Sequence, residues 1–110
     1  MEFTKNLYEL VEKNGDSFSV LISSQEHPIF KAHFPNYPIL PGFLLIEIAL
    51  EVLKITPCCI KSAKFIKHIV PEDRLTYRVE HRGLKTKIVV LNSSNVKVSE
   101  FILHKDKKCT

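Results

Sequence analysis

Several things that large function classes depend on are scarce or missing in this sequence. It has three cysteines, Cys58, Cys59 and Cys109; the count is odd, two are adjacent, and none sits at metal-ligand spacing. They read as reduced thiols of a cytosolic protein, not as a disulfide framework or a metal site. No run of lysine or arginine is interleaved with aromatics, and no nucleic-acid-binding motif occurs. The formal net charge of +4 and isoelectric point near 9.0 therefore favour an acidic partner surface without pointing to nucleic acid. The longest apolar segment, Gly42 to Ile55, is interrupted by Glu47, Glu51 and Lys54 and is too short for a membrane span. The opening "MEFTKNLYEL" lacks the plan of a signal peptide, so a cytoplasmic location is expected. No linker, repeat or low-complexity tract divides the chain, and residues 1–110 are expected to form one domain. The closing "HKDKKCT" reads as a solvated tail.

What is present is ordinary globular material, 45% hydrophobic and 25% charged. Phe3, Leu7, Leu10 and Val11 recur at helical spacing, which predicts a short amphipathic helix over 3–13. "NGD" at 14–16 is a turn, and "SFSVLIS" then alternates Phe18, Val20 and Ile22 as a strand does. Gln25 to Pro41 holds four prolines and no period, an ordered loop whose length suggests function. Gly42 to Ile55 is apolar nearly all round, which predicts a buried helix stopped by "TPCC". Strand-like segments follow at 60–70, 74–82, 85–92 and 95–104, separated by "VPED", "HRGLK" and "NSSN". In the last, Val96, Val98, Glu100 and Ile102 share one face. A strand, a buried helix and a strand meander predict an α+β fold, a curved antiparallel sheet wrapped around one central helix.

The chemistry concentrates in "HFPNYPILPGFLLIE", His33 to Glu47. On a helix, Glu47 and Glu51 lie one turn apart on one face. Enclosure among leucines and isoleucines, with a second carboxylate nearby, would raise a carboxyl pKa from about 4.3 and make Glu47 a general acid. Glu51 reads more simply as a wet-edge residue beside Lys54. His33 is the matching base, with an ordinary pKa near 6.5. Pro35, Pro38 and Pro41 restrict its loop, and orientation is what a catalytic base needs. His27, His68, His81 and His104 have no comparable context. Pro41 and Gly42 open the helix, where unpaired N–H groups and the helix dipole suit an oxygen gaining negative charge; Pro41, Gly42 and Phe43 are the candidate oxyanion and substrate residues. A base, an acid and an oxyanion site suit proton abstraction beside a thioester with loss of a β-hydroxyl, and also thioester hydrolysis.

The stretch "HPIFKAHFPNYPILPGFLLIE" resembles the active-site signature of the FabZ-type 3-hydroxyacyl-acyl-carrier-protein dehydratases. His27, Pro28, Phe30, His33, Phe34, Pro35, Pro38, Pro41, Gly42, Leu44 and Glu47 fall in register with it. "KFIKHIVPEDRL" at 64–75 is similar to the family's later strand-turn-strand. The resemblance implies a hot-dog fold and a homodimer with shared active sites, alone or as a trimer of dimers. It implies dehydration of 3-hydroxyacyl groups, borne on the phosphopantetheine of acyl carrier protein, to trans-2-enoyl products, with no metal or redox cofactor. His33 would remove the C2 proton, Glu47 of the other chain would protonate the departing hydroxyl, and the Gly42 N–H would hold the thioester oxygen. An acidic carrier protein would suit a basic docking face, with Lys64, Lys67, Arg74, Arg78 and Arg82 as candidates. An apolar tunnel lined by helix, Phe and Ile side chains would take the acyl chain. The sequence departs from the pattern at Ala32, Glu51 and Glu72, which stand for Gly, Gln and Gly; a type I turn is expected at Glu72. These departures suggest an accessory dehydratase for a particular lipid or polyene. The alternatives are a hot-dog acyl thioesterase, which would lack the HFPxxPxxPG loop, and a non-catalytic acyl-binding module, which would not need both His33 and Glu47.

Overall fold

A computed structural model describes residues 3–56 and 59–104. The order of elements is β1 (Tyr8–Asn14), β2 (Ser17–Ile22), α1 (Pro28–Ala32), α2 (Gly42–Leu53), β3 (Cys59–Phe65), β4 (Arg74–Arg82), β5 (Lys85–Leu91) and β6 (Lys97–His104). The strands form one six-stranded sheet in the order β1-β2-β4-β5-β6-β3. Every neighbouring pair is antiparallel. The chain therefore leaves α2, crosses to the far edge as β3, and returns to the middle as β4.

One face of the sheet packs on α2. Phe18, Val20 and Ile22 of β2 point inward, opposite Tyr77 and Leu75 of β4. The Phe18 and Tyr77 rings stack at 4.6 Å. Helix α2 contributes Leu44, Leu45, Ile46, Ile48 and Ala49 to the core. Each buried leucine or isoleucine is worth about 1.5–3 kcal/mol, so this face decides where the helix lies. Burial raises the Tyr77 phenol well above its ordinary range, with the neighbouring Tyr8 adding to it. The protonated hydroxyl donates to the Leu45 carbonyl at 2.9 Å, tying the sheet to the middle of the helix. Tyr77→Phe is expected to lower unfolding stability by about 1 kcal/mol with the fold intact, as the urea midpoint would register.

The helix ends earlier than expected. Lys54 takes a left-handed conformation, with φ 55° and ψ 46°, and the N–H groups of Lys54 and Ile55 both turn back to the Leu50 carbonyl. Pro57 and Cys58 lie outside the described residues, as do Cys109 and the expected solvated tail.

Several expectations are corrected. Pro28–Ala32, within the stretch 25–41 expected to be loop, form the short helix α1. Residues 8–14 form a strand, not part of a helix over 3–13. Gly15, at φ 61°, closes a two-residue hairpin turn, and β1 pairs with β2 along its length. Of the residues at helical spacing only Leu7 is buried, while Phe3, Leu10 and Val11 stay exposed. Nonlocal pairing overrides the local period. The strand expected over 60–70 stops at Phe65. Finally, Glu72 sits at φ 67°, the left-handed conformation that the expected type I turn avoids. In β6 Val98, Ser99, Phe101 and Leu103 are buried in the core while Glu100 and Ile102 take the outer face, so the expected shared face of Val96, Val98, Glu100 and Ile102 is corrected as well.

Candidate active site

The loop before α2 is built to hold His33. His27 caps α1: its Nδ1 accepts from the Ile29 N–H at 3.1 Å and its Nε2 donates to the Lys5 carbonyl at 2.8 Å. His33 closes the same helix through its N–H to the Ile29 carbonyl, 3.0 Å. Two further bonds cross the loop at its neck. The Ile39 N–H donates to the His33 carbonyl at 3.0 Å, and His33 Nδ1 lies 3.2 Å from the Ile39 carbonyl. A carbonyl can only accept, so Nδ1 carries the proton in the neutral ring and Nε2 is left as the basic nitrogen. The ring is half-buried and stacks on Phe34 at 4.2 Å; the peptide joining the two residues is cis. The Leu40 N–H donates to the Ile69 carbonyl at 2.8 Å, which fastens the loop to the β3–β4 connection.

At the start of α2, Pro41 has no N–H and its carbonyl accepts from Leu44 at 3.0 Å. Among the described residues no acceptor meets the N–H of Gly42 or Phe43. Two donors at a twelve-residue helix's N-terminus are therefore available to an oxygen that gains charge. Gly42 is in ordinary helical conformation. What bars a side chain there is Phe65: a Cβ on Gly42 would lie 2.9 Å from ring atoms Cδ1 and Cε1.

Glu47 does share a face with Glu51, together with Phe43, but that face is exposed in the single chain. The expectation of an enclosed Glu47 is thus corrected for the single chain: α2 buries its other side and leaves this one open. No hydrogen bond joins Glu47 to His33 within the described residues. Glu51 does not pair with Lys54. It accepts from the Tyr8 hydroxyl at 2.8 Å and, by a short bond, from the Thr4 hydroxyl. The Tyr8 phenol is pushed above its ordinary range, first by burial, then by its bond to Glu51 and the charge of that carboxylate. These two hydroxyls come from the segment whose sequence reads as helix, so no sequence signal placed them here.

The basic candidates fall in two places. Arg74, Arg78 and Arg82 line the outer face of β4, with Arg74 4.0 Å from Glu12 and Arg82 2.9 Å from Glu80. Lys64 is on β3, three strands away, and Lys67 follows it. Arg78 and Lys64 share one cross-strand row, Arg78–Val89–Glu100–Lys64. Glu100 within it is paired with Lys97 at 2.5 Å and Lys87 at 3.7 Å. The bond to Lys97, more than the nearby lysine charges, holds its carboxyl below the usual range. The expected acyl tunnel has no counterpart in the clefts of about 380, 280 and 220 Å³, none of which is lined by His33, Gly42 or Glu47. Among the described residues no cluster of three His, Cys, Asp or Glu could hold a metal, and no helix is long and apolar enough to cross a membrane.

A family model described as ApeI-like, ApeI dehydratase, matches residues 11–101. The chain belongs to the ApeI-like dehydratase family. Curated relatives of this family member include the 3-hydroxyacyl-[acyl-carrier-protein] dehydratase FabZ of Thermotoga neapolitana, 40% identical over 68 residues, covering 53% of this chain and 50% of that protein. The FabZ of Pelotomaculum thermopropionicum is 35% identical over 75 residues, 56% of this chain and 54% of the relative. The chain thus spans about half the length of the curated relatives it matches. Among solved structures, the dehydratase heterocomplex ApeI:P from Xenorhabdus doucetiae superimposes with a TM-score of 0.67 at 16% identity, over 87% of this chain and 92% of that one. The E. coli PaaI protein of the phenylacetic acid degradation operon gives 0.62 at 15% identity, over 94% and 83%. At such identities the likeness speaks for the fold, and the fold is the hot-dog.

Proposed function

We propose that this chain dehydrates 3-hydroxyacyl thioesters carried on acyl carrier protein, giving trans-2-enoyl thioesters. The observation that carries the reading is His33, whose Nδ1 is committed to the Ile39 carbonyl and whose Nε2 is free to act as a base. In the reaction, His33 Nε2 takes a proton from C2. The electrons pass to the thioester oxygen, which the Gly42 N–H stabilises, with Pro41 and Phe43 shaping the approach. The enolate then re-forms its carbonyl, a double bond forms between C2 and C3, and the C3–O bond breaks. Glu47 gives the departing hydroxyl a proton and it leaves as water. The elimination is redox-neutral, and the scheme calls for no metal or redox cofactor.

Glu47 can serve as this acid only if water is kept from it. A second copy of the chain supplies the cover. Strand β3 is a sheet edge, and Ile60, Phe65, Ile66 and Val70 in or beside it are exposed, as is Phe43 on the Glu47 face. Pairing two chains along β3 would bury this patch and bring His33 of one copy toward Glu47 of the other. The matched Xenorhabdus dehydratase is a heterocomplex, so a different chain is the alternative second subunit. Acyl carrier protein, an acidic partner, would dock on the outer-face cations: Arg74, Arg78 and Arg82 of β4, with Lys64 and Lys67 toward the seam.

One assay tests the reaction. The chain is given a 3-hydroxyacyl thioester on carrier protein, and enoyl absorbance and free thiol are followed together. A reversible rise in absorbance without thiol release is expected. Thiol release instead would make the protein a thioesterase, and saturable binding without either change would make it an acyl-binding module.

A further inference from the structure

We propose that Phe65 is the specificity-determining wall of the thioester site and restricts it to acyl groups unbranched at C2. This rests on the dehydratase reading above. Gly42 is helical, a conformation open to any residue, so the backbone does not demand glycine there. The demand comes from Phe65, whose ring fills the space that a Cβ would occupy. The backbone that carries the ring is held in place. Phe65 is the last residue of β3 and pairs with Ser99 of β6. The Ser99 hydroxyl donates to the Lys64 carbonyl at 2.8 Å, and the N–H groups of Ile66 and Lys67 both donate to the Val98 carbonyl, at 2.8 and 3.2 Å. The backbone is pinned on both sides of the ring, yet 51% of Phe65 remains exposed. One side of the ring rests on the helix start, and the rest of it faces the seam that, on the reading above, the acyl group and the second chain share.

A thioester oxygen accepting from the Gly42 N–H at about 2.9 Å brings its carbonyl carbon within about 4 Å of that nitrogen. C2 is one bond further. It must then pass close to the ring that covers the glycine. A hydrogen on C2 fits against an aromatic face; a methyl there must displace a ring whose backbone is fixed in β3 and whose near side meets Gly42.

The test uses the reverse reaction, in which water adds its hydroxyl to C3 and its hydrogen to C2. The wild type, Phe65→Ala, Phe65→Leu and Phe65→Tyr are given trans-2-butenoyl and trans-2-methyl-2-butenoyl thioesters on acyl carrier protein, and loss of enoyl absorbance is followed. The ratio of kcat/KM for the unbranched over the branched substrate is expected to fall about tenfold in Phe65→Ala, less in Phe65→Leu, and to hold in Phe65→Tyr. An active wild type whose ratio is unchanged in folded Phe65→Ala and Phe65→Leu overturns the inference alone. A wild type that hydrates neither substrate overturns the dehydratase reading and this inference with it. The contact has its own readout: Gly42→Ala should lower Tm and a second change, Phe65→Ala, should recover the loss. An unchanged Tm in Gly42→Ala would remove the wall.

Discussion

His33→Ala is expected to lower kcat for dehydration by about a thousandfold while leaving the protein folded, since a positioned general base contributes about 10²–10⁴ in rate. The loss would be in the chemical step. Alanine removes the nitrogen proposed to take the C2 proton, whereas the loop that presents it is held mainly by backbone. The His33 N–H still reaches the Ile29 carbonyl, and the Ile39 N–H still reaches the His33 carbonyl. What disappears structurally is one side-chain bond to Ile39 and the stack on Phe34. Together these are worth about 1–2 kcal/mol. Steady-state kinetics beside circular dichroism and a thermal melt separate the two effects. Turnover near the wild-type rate in a folded His33→Ala would remove the imidazole from the mechanism.

Glu47→Gln is expected to cost a similar factor, because an amide cannot give the departing hydroxyl a proton. It is close in size and hydrogen-bonding reach, so folding and association should survive. Glu47 is exposed in the single chain and belongs to no core contact, so its loss removes little from the monomer's stability. Glu51→Gln is the natural comparison. Glu51 is held by Tyr8 and Thr4 and so acts as a structural acceptor; its replacement should leave kcat within about tenfold, short of the roughly hundredfold that a positioned proton donor or acceptor supplies at the least. Kinetics on both variants decide which carboxylate is the acid, and equal losses would mean that the two work as a pair.

Much of this was legible in the residues because it is locally encoded. The Asn14-Gly15-Asp16 turn, the alternation of β2, the start of α2 after Pro41 and the spans of β4 and β5 all rest on neighbours in sequence. The turn that follows His33 is legible for the same reason: three prolines within ten residues, the last followed by Gly42, leave few backbone paths. The failures are nonlocal. Tyr8 becomes part of a strand because β2 offers it a partner, and only then can its hydroxyl reach Glu51, 43 residues on. Phe65 meets Gly42 because β3 crosses to the far edge of the sheet. The exposed face of α2 could not be read from hydrophobicity alone. Its apolar surround suggested enclosure, but the sheet covers one side of the helix and leaves Phe43, Glu47 and Glu51 open. Glu72 is a different kind of miss: a side chain that disfavours positive φ occupies it nonetheless, its N–H bonded to the Ser23 carbonyl at 2.9 Å.

The central claim is that each site takes its base from one chain and its acid from another. Subunit complementation tests it most directly. Purified His33→Ala and Glu47→Gln proteins, each inactive, are unfolded together, refolded as a mixture, and assayed, with native mass spectrometry counting the mixed dimers. Random pairing in a twofold dimer makes about half the dimers mixed, each with one intact site and one doubly damaged, so about a quarter of wild-type activity should return. Mixed dimers that form in that proportion and show no recovered turnover would contradict the account.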